Sequence, residues 1–537
     1  MKKLLAGTLS AVTALSLTAC GSTNTKTSFT YAMETDMSSL DSAAISDGGS
    51  IEMIKASTEG LMAHGKKGET INGMAKSVDV SKDGKTYTFH LRDAKWSNGT
   101  KVTADDFVYG FHRVFEEAGS YIYMFGSAAA NIVNADKLMA KAGHLSEKQL
   151  NTLGIQAKDA KTVVIKLTKP VPYFKQLMTF TCFYPINRKF AKKAGKNYGK
   201  SAKDYLSNGP FRVTSWSRGT RINFVKNTNY YDANNVKLDK LSVTLGQSTQ
   251  AAAASYESGK LDMFTVTSAV LDKYKKKDGY TPINTGFEFY LLPNLKNKVL
   301  ANKNIRLAIS KAINRADFTK SILKDGSTPS TGFVPSNVAT SPKGVDFRKE
   351  AGNYSDLTYD QAKAQKALNK GLKQLGKSSI TLHVLYGTDE TSMNQFATYV
   401  QNSLSKLKGL KVEVVATTKQ DRVDNRQKNG DFELSCTRWG PDYADPTTYL
   451  NLLVSSNSDN YGAYNSKQYD AYMNTAYNSL NMTKRWNALV SAEKIAMKDL
   501  AVIPVFDQGG AVMIRPDFKG IYSKPMVGAI FRYAVKK

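Results

Sequence analysis

The chain has 537 residues, 41% of them hydrophobic and 22% charged, with a formal charge of +28. That composition is ordinary for a globular protein of two to four domains with large cores. The positive charge is spread along the chain, with one tight run at Lys275–Lys277. No basic stripe interleaves with aromatics, which argues against a nucleic-acid reader.

The first residues read as an export signal. Lys2 and Lys3 precede a short apolar run from Leu4 to Leu17, too short for a span of roughly 20 residues. It ends in Leu17-Thr18-Ala19-Cys20-Gly21, which resembles a bacterial lipobox: signal peptide 1–19, then a lipidated Cys20 at the mature N-terminus. Two acyl chains anchor stably where one does not. Residues 20–28 are small and polar, a flexible tether. The mature protein is therefore expected outside the cell, tied to the membrane, on a Gram-positive-type surface. Diffuse positive charge there suits anionic lipid or cell-wall polymer, and export keeps nucleic acid out of reach.

Strand and helix signals then alternate, an α/β or α+β pattern. Residues 86–91, TYTFHL, place Tyr87, Phe89 and Leu91 on one face of a strand, and 162–167 reads likewise. Thr103 opens a helix with Asp106 three residues on, a variant capping box. Phe107, Phe111, Val114 and Phe115 form its core stripe, leaving Tyr109 and His112 on the opposite side, where Tyr109 is a candidate ligand wall or plain surface. Further helices are expected from about Asn304 and over 360–375, and strands over 411–417 and 431–436 with a polar, helical link between them. Cys182 and Cys436 lie in apolar, strand-like runs and read as separately buried thiols, although export would permit a bridge.

Catalytic signatures are weak. The five histidines lack metal-ligand spacing. Three S-x-x-K matches start at Ser321, Ser403 and Ser491, and SDN occurs at 458–460, but K-T-G is missing after residue 460. S-x-x-K is cheap in a Lys-rich chain. No enzyme activity, cofactor or metal is expected.

RWGPDYADPTTYL, residues 438–450, follows directly on a predicted strand. Pro441 and Pro446 keep it from being ordinary helix or central strand. Asp442 near Trp439 suggests a cation binder, with a turn-capping aspartate as the alternative.

Residues 77–114 closely resemble the signature of family-5 extracellular solute-binding proteins. SNGPFRVTSW (207–216), NTNYYDANNVKLDKL (227–241), YESGKLDMF (256–264) and NIRLAISKAINRADF (304–318) are similar to further blocks of that family. The resemblance implies a two-lobed, class II periplasmic-binding-protein-like α/β fold with a subdomain inserted in the first lobe. Lobe I is placed at 29–58, 184–287 and 503–537, the insert at 59–183 and lobe II at 288–502. It also implies a monomeric receptor that captures oligopeptides in a closing cleft and delivers them to an ABC importer permease. Receptors of the same family for nickel chelates or oligosaccharides, and a basic cell-surface adhesin, are the alternatives. Carried over from the peptide-binding subgroup, Asp442 pairs with the peptide ammonium. Trp439, Arg438 and Gly440 lie beside it, with Ser46, Asp47 and Gly48 facing from the other lobe. Asp507 and Gln508 stand where such binders often have a tyrosine run, which leaves the ligand's C-terminus unassigned.

Overall fold

The computed structural model describes residues 27–537 apart from 67, 128, 391 and 525–527. Cys20 and the signal segment lie outside the described residues.

Among those residues an eleven-stranded mixed sheet runs through the molecule. From one edge its order is Leu410–Thr417, Ile380–Gly387, Leu434–Trp439, Tyr280–Pro293, Ile503–Ile514, Met263–Val266, Ser28–Ala32, Lys240–Thr244, Arg221–Lys226 and Phe211–Ser217. Thr328–Pro329 pairs off this path with Ile503–Ile514. Two strands are much longer than the five or six residues typical of strands: Tyr280–Pro293 has 14 and Ile503–Ile514 has 12.

These two long strands connect the lobes. Tyr280–Asn284 pairs with Met513–Gly509, beside the first-lobe strand Met263–Val266. Glu288–Leu291 pairs with Asp507–Ile503, beside the second-lobe strand Leu434–Trp439. The register breaks between Asn284 and Glu288. A break in two antiparallel strands loosens the ladder where the chain passes between lobes, which is where a hinge absorbs backbone rotation.

Each lobe has its own core. One gathers Phe29, Leu241, Trp96, Phe107, Phe111 and Phe183. The other gathers Phe289, Phe506, Leu382, Phe396, Tyr449 and Leu489. The first also holds a four-stranded antiparallel sheet, in the order Ala75–Val80, Thr86–Leu91, Thr162–Lys166, Ile155–Asp159.

The helix Ala104–Glu116 packs on that sheet. Its start follows the capping reading: the Asp106 carboxylate accepts from Thr103 N at 2.9 Å, and from the Trp96 indole at 3.0 Å. The expected outward face does not face out. Tyr109 and His112 are buried. A Cβ on Gly110 would lie 2.3 Å from the Tyr184 carbonyl, so the chain at Tyr184–Ile186 covers this second face. Arg188 sits over the Tyr109 ring at 5.8 Å. Burial pushes the His112 imidazole down to about 4, with Arg188 adding to the effect.

Other elements follow their patterns. Helices occupy Lys303–Ala312 and Gln361–Leu375, and strands occupy Leu410–Thr417 and Leu434–Trp439. The link between those strands contains the wide helical turn Asp421–Gln427. Cys182 and Cys436 are both buried and unpaired.

Candidate ligand-binding cleft

A cavity of about 720 Å³ lies between the lobes. That size falls within the roughly 300–1,000 Å³ of small-ligand sites. One wall comes from the first lobe: Ser46, Gly48 and Ile51 at the start of the helix Gly48–Ser57, with Tyr121 and Phe180. The opposite wall is the end of the strand Leu434–Trp439 and the prolyl segment after it, with Arg438, Trp439, Gly440, Pro441 and Asp442. The floor is the register break, through Thr285 and Phe287. Thr285 Oγ1 donates to the Gln508 carbonyl at 2.8 Å, tying the two crossing strands.

Ser46, Gly48, Arg438, Trp439, Gly440 and Asp442 thus line one space. Two other predicted residues do not. Asp47 caps the helix Gly48–Ser57, accepting from Ser50 N at 2.7 Å and from Ser38 Oγ at 2.5 Å. Burial alone would raise its carboxyl, but these hydrogen bonds hold it below its ordinary value. Tyr109 lies in the first-lobe core.

Asp442 is the chemically distinctive group. It has no cation within ion-pairing distance among the described residues. The Tyr123 hydroxyl, from the first-lobe side, lies close enough to favour its charged form. Burial pushes Asp442 up to about 6; the nearby Tyr123 hydroxyl opposes the shift, and the Asp459 charge adds to it. A carboxylate in that state gains from an incoming cation, because the cation relieves the cost of burial.

Backbone and ring geometry frame this group. Leu434–Trp439 is the strand on which cleft backbone ends, with Trp439 opposite Glu288. The indole N–H of Trp439 is buried and has no acceptor among the described residues. Such donors are rare, because an unmet one costs free energy. A Cβ on Gly440 would lie 2.4 Å from the Phe287 ring, so a larger residue here would have to displace that ring.

Three residues beyond Asp442, Asp445 plays a different part. Arg485 holds it through two bonds of 2.7 and 2.8 Å, and both side chains are buried. Between them, Tyr443 stacks on Tyr173, which packs in the first-lobe core, at 4.8 Å and 2°. The segment is therefore pinned on both sides of the cleft-facing Asp442.

Several cleft residues carry no local signal. Glu390, Arg422 and Thr285 reach the site through contacts across tens to hundreds of positions. Asp459 does lie in a noticed motif, the SDN of 458–460; it lines the cleft, and Asn460 secures its loop through the Val454 and Tyr464 carbonyls. Ser321, Ser403 and Ser491 fall on three separate helices, and none of them lines the cleft.

Comparison with known proteins places this geometry. Residues 69–461 match the model of bacterial extracellular solute-binding proteins, family 5. The chain belongs to that family. It is 34% identical to the dipeptide-binding protein of Lactococcus lactis, over 96% of both chains. It is 31% identical to the peptide-bound OppA of Listeria monocytogenes, with a TM-score of 0.73 over 95% of this chain and 99% of that one. The unliganded open form of the murein tripeptide-binding protein MppA of Escherichia coli gives a TM-score of 0.81 at 26% identity, over 95% of this chain and 98% of that one. The two-lobed class II fold is common to these proteins. No helix among the described residues is long and apolar enough to cross a membrane.

Proposed function

We propose that this protein is the peptide-capturing receptor of an ABC importer, binding without transforming its ligand. The observation that carries the reading is Asp442: a carboxylate facing an inter-lobe cavity, half-protonated near pH 6 and without a cation of its own. A peptide α-ammonium supplies that cation through a charge-assisted hydrogen bond, which fixes register. Backbone beside Trp439 and Gly440 pairs with the extended peptide as an added strand does, giving affinity without reading side chains. Ser46 and Gly48 meet the ligand from the first lobe, and Arg438 meets it from the second. Relatives named for dipeptide and oligopeptide binding support the assignment.

The receptor is tethered outside the cell through lipid on Cys20 and acts as a monomer with no cofactor. It delivers peptides to the permease subunits of its importer. Its excess of 74 Lys and Arg over 46 Asp and Glu favours residence beside anionic cell-wall polymer.

Mass spectrometry of ligand released from protein purified under native conditions tests the reading. Peptides are expected. A metal chelate or a glycan would overturn it.

A further inference from the structure

Three parallel strands of the first lobe begin at one end of the sheet: Ser28–Ala32, Lys240–Thr244 and Met263–Val266. Cations gather at that end. Ser28, Lys240, Val225 and Arg212 lie in one row across four strands, so Lys240 and Arg212 stand on the same face. Lys237 and Lys260 stand just before two of the strands. Lys519 and Lys536 lie on a short antiparallel pair, Phe518–Lys519 with Val535–Lys536, whose Phe518 ring packs on Phe29 at 4.9 Å. All six basic side chains are exposed.

The carboxylates at this end are engaged within the fold. Asp239 accepts from Thr27 N and Asp262 from Thr30 N, both at 2.8 Å. Arg515 takes Asp262 at 3.5 Å and Lys536 takes Asp517 at 3.6 Å; the other five cations have no carboxylate in ion-pairing range among the described residues. Val535, beside Lys536, is an exposed apolar residue. The chain also enters the fold here. Thr27, the first described residue, bonds to Asp239 and Lys240. Cys20 stands seven positions earlier. A lipid on it holds this end within about 25 Å of the membrane surface, the reach of seven extended residues.

Resting on the Cys20 anchor proposed above, we infer that this basic end of the first lobe docks on the anionic lipid surface in which the tether is fixed. Acyl chains and a basic patch are the paired signals that hold a protein to a membrane. The tether keeps the patch at high effective concentration beside the bilayer, so a weak contact suffices. A lipid leaflet fits better than a polymer, because the tether ends in it and Val535 offers it an apolar contact. The strand Ser28–Ala32 runs from this end toward the cleft. Just past it, the Met33 methyl would meet a Cβ on Gly49 at 2.5 Å, and the adjacent Gly48 lines the cleft. Docking therefore holds the cleft wall at the end of the lobe remote from the bilayer, turned outward for capture.

Vesicle sedimentation tests this with the mature chain, residues 21–537, carrying no lipid. The vesicles are phosphatidylglycerol mixed equally with phosphatidylcholine, or phosphatidylcholine alone. Binding is expected to the anionic vesicles only and should fall with salt. Each Lys→Gln change in the patch should weaken it by about fivefold, and Lys237→Gln, Lys240→Gln and Lys519→Gln together by about a hundredfold. A control removes equal charge elsewhere: Lys189→Gln, Lys192→Gln and Lys193→Gln, all exposed on the helix Arg188–Ala194, should change binding little. No binding to anionic vesicles, or equal losses in the two triple variants, overturns the docking face. Binding to soluble poly(glycerol phosphate) but not to vesicles would assign a polymer instead and also overturn it. The probe carries no lipid, so a negative result leaves the Cys20 anchor standing. The anchor itself fails only if Cys20→Ser stays with membranes at high salt.

Discussion

Glu288 and Asp507 face each other in register across the two strands that pass between the lobes, immediately beyond the register break. Both are buried, and neither has a cation within ion-pairing distance among the described residues. Ser330 Oγ donates to Glu288 at 2.5 Å and lies 3.4 Å from Asp507. Two carboxylates so placed cannot both ionise cheaply, so the pair holds a proton. Burial first, then the Asp507 charge, pushes Glu288 well above its ordinary range, and burial also raises Asp507.

The sign of the pH effect follows. A carboxyl raised in the folded state contributes stability at low pH and loses it as pH rises through the folded value. Thermal unfolding of the ligand-free protein should therefore show a part of its stability fading above the ordinary carboxylate range. Glu288→Gln should flatten that slope. Glu288→Ala should cost about 1–3 kcal/mol, the penalty of leaving a buried polar partner unmet. A wild-type slope identical to that of Glu288→Gln would refute the shared proton.

Asp442 sets a second pH dependence, on binding. The group titrates near 6 in the free protein because burial opposes its charge. An ammonium is held by the ionised form only. Affinity for a peptide should be level above about pH 7 and fall by about tenfold per unit well below 6. Calorimetry near pH 6 should also show proton release on binding, read from buffers of different ionisation enthalpy. Binding that is flat from pH 5 to 8 would contradict this.

The same shift implies a trade of stability for function. Asp442 is stabilising while protonated and loses that contribution as pH rises through about 6. Asp442→Asn should therefore raise the unfolding temperature of the ligand-free protein at pH 7.5 while weakening peptide binding. A lower unfolding temperature would argue for a structural duty instead.

Asp445 behaves otherwise. Its carboxylate is taken up by Arg485 and Thr447, and Asp445 and Arg485 are both buried beneath the Tyr173–Tyr443 stack. Removing one partner leaves the other charged and buried. Arg485→Ala or Asp445→Ala should destabilise the fold by about 3–5 kcal/mol. Urea unfolding checks it. Asp442→Ala should show no comparable loss.

Local chemistry was readable wherever the cause was local. The helix Ala104–Glu116 starts where Thr103 and Asp106 put it, and Thr86–Leu91 is the strand its alternation describes. Tyr109 shows the limit: periodicity identifies the core stripe of a helix, but it does not reveal that a distant segment, Tyr184–Ile186, covers the other face. The crossing strands were illegible for the same reason. VFDQGG was visible only as a departure from a tyrosine run, because its partner Glu288 lies more than 200 positions away. Glu390 gave no sign either, since its arginines at 422 and 438 are neighbours only in space.

The proposed tether at Cys20 has its own test. Cys20→Ser removes the thiol that takes the lipid, so binding activity should leave the membrane fraction. Fractionation at high salt separates lipid anchoring from attraction between a basic surface and anionic polymer. Retention of the variant on membranes at high salt would refute the anchor.

The peptide-receptor account stands or falls on whether Asp442 holds the ligand's ammonium. Calorimetry should compare wild type and Asp442→Ala, each with a free peptide and its Nα-acetyl form. Either change alone should cost about 2–5 kcal/mol, the range for breaking a buried charge pair. Made together they should cost little more than either alone, because both remove one interaction. Full additivity of the two losses, or undiminished binding by Asp442→Ala, would contradict the account.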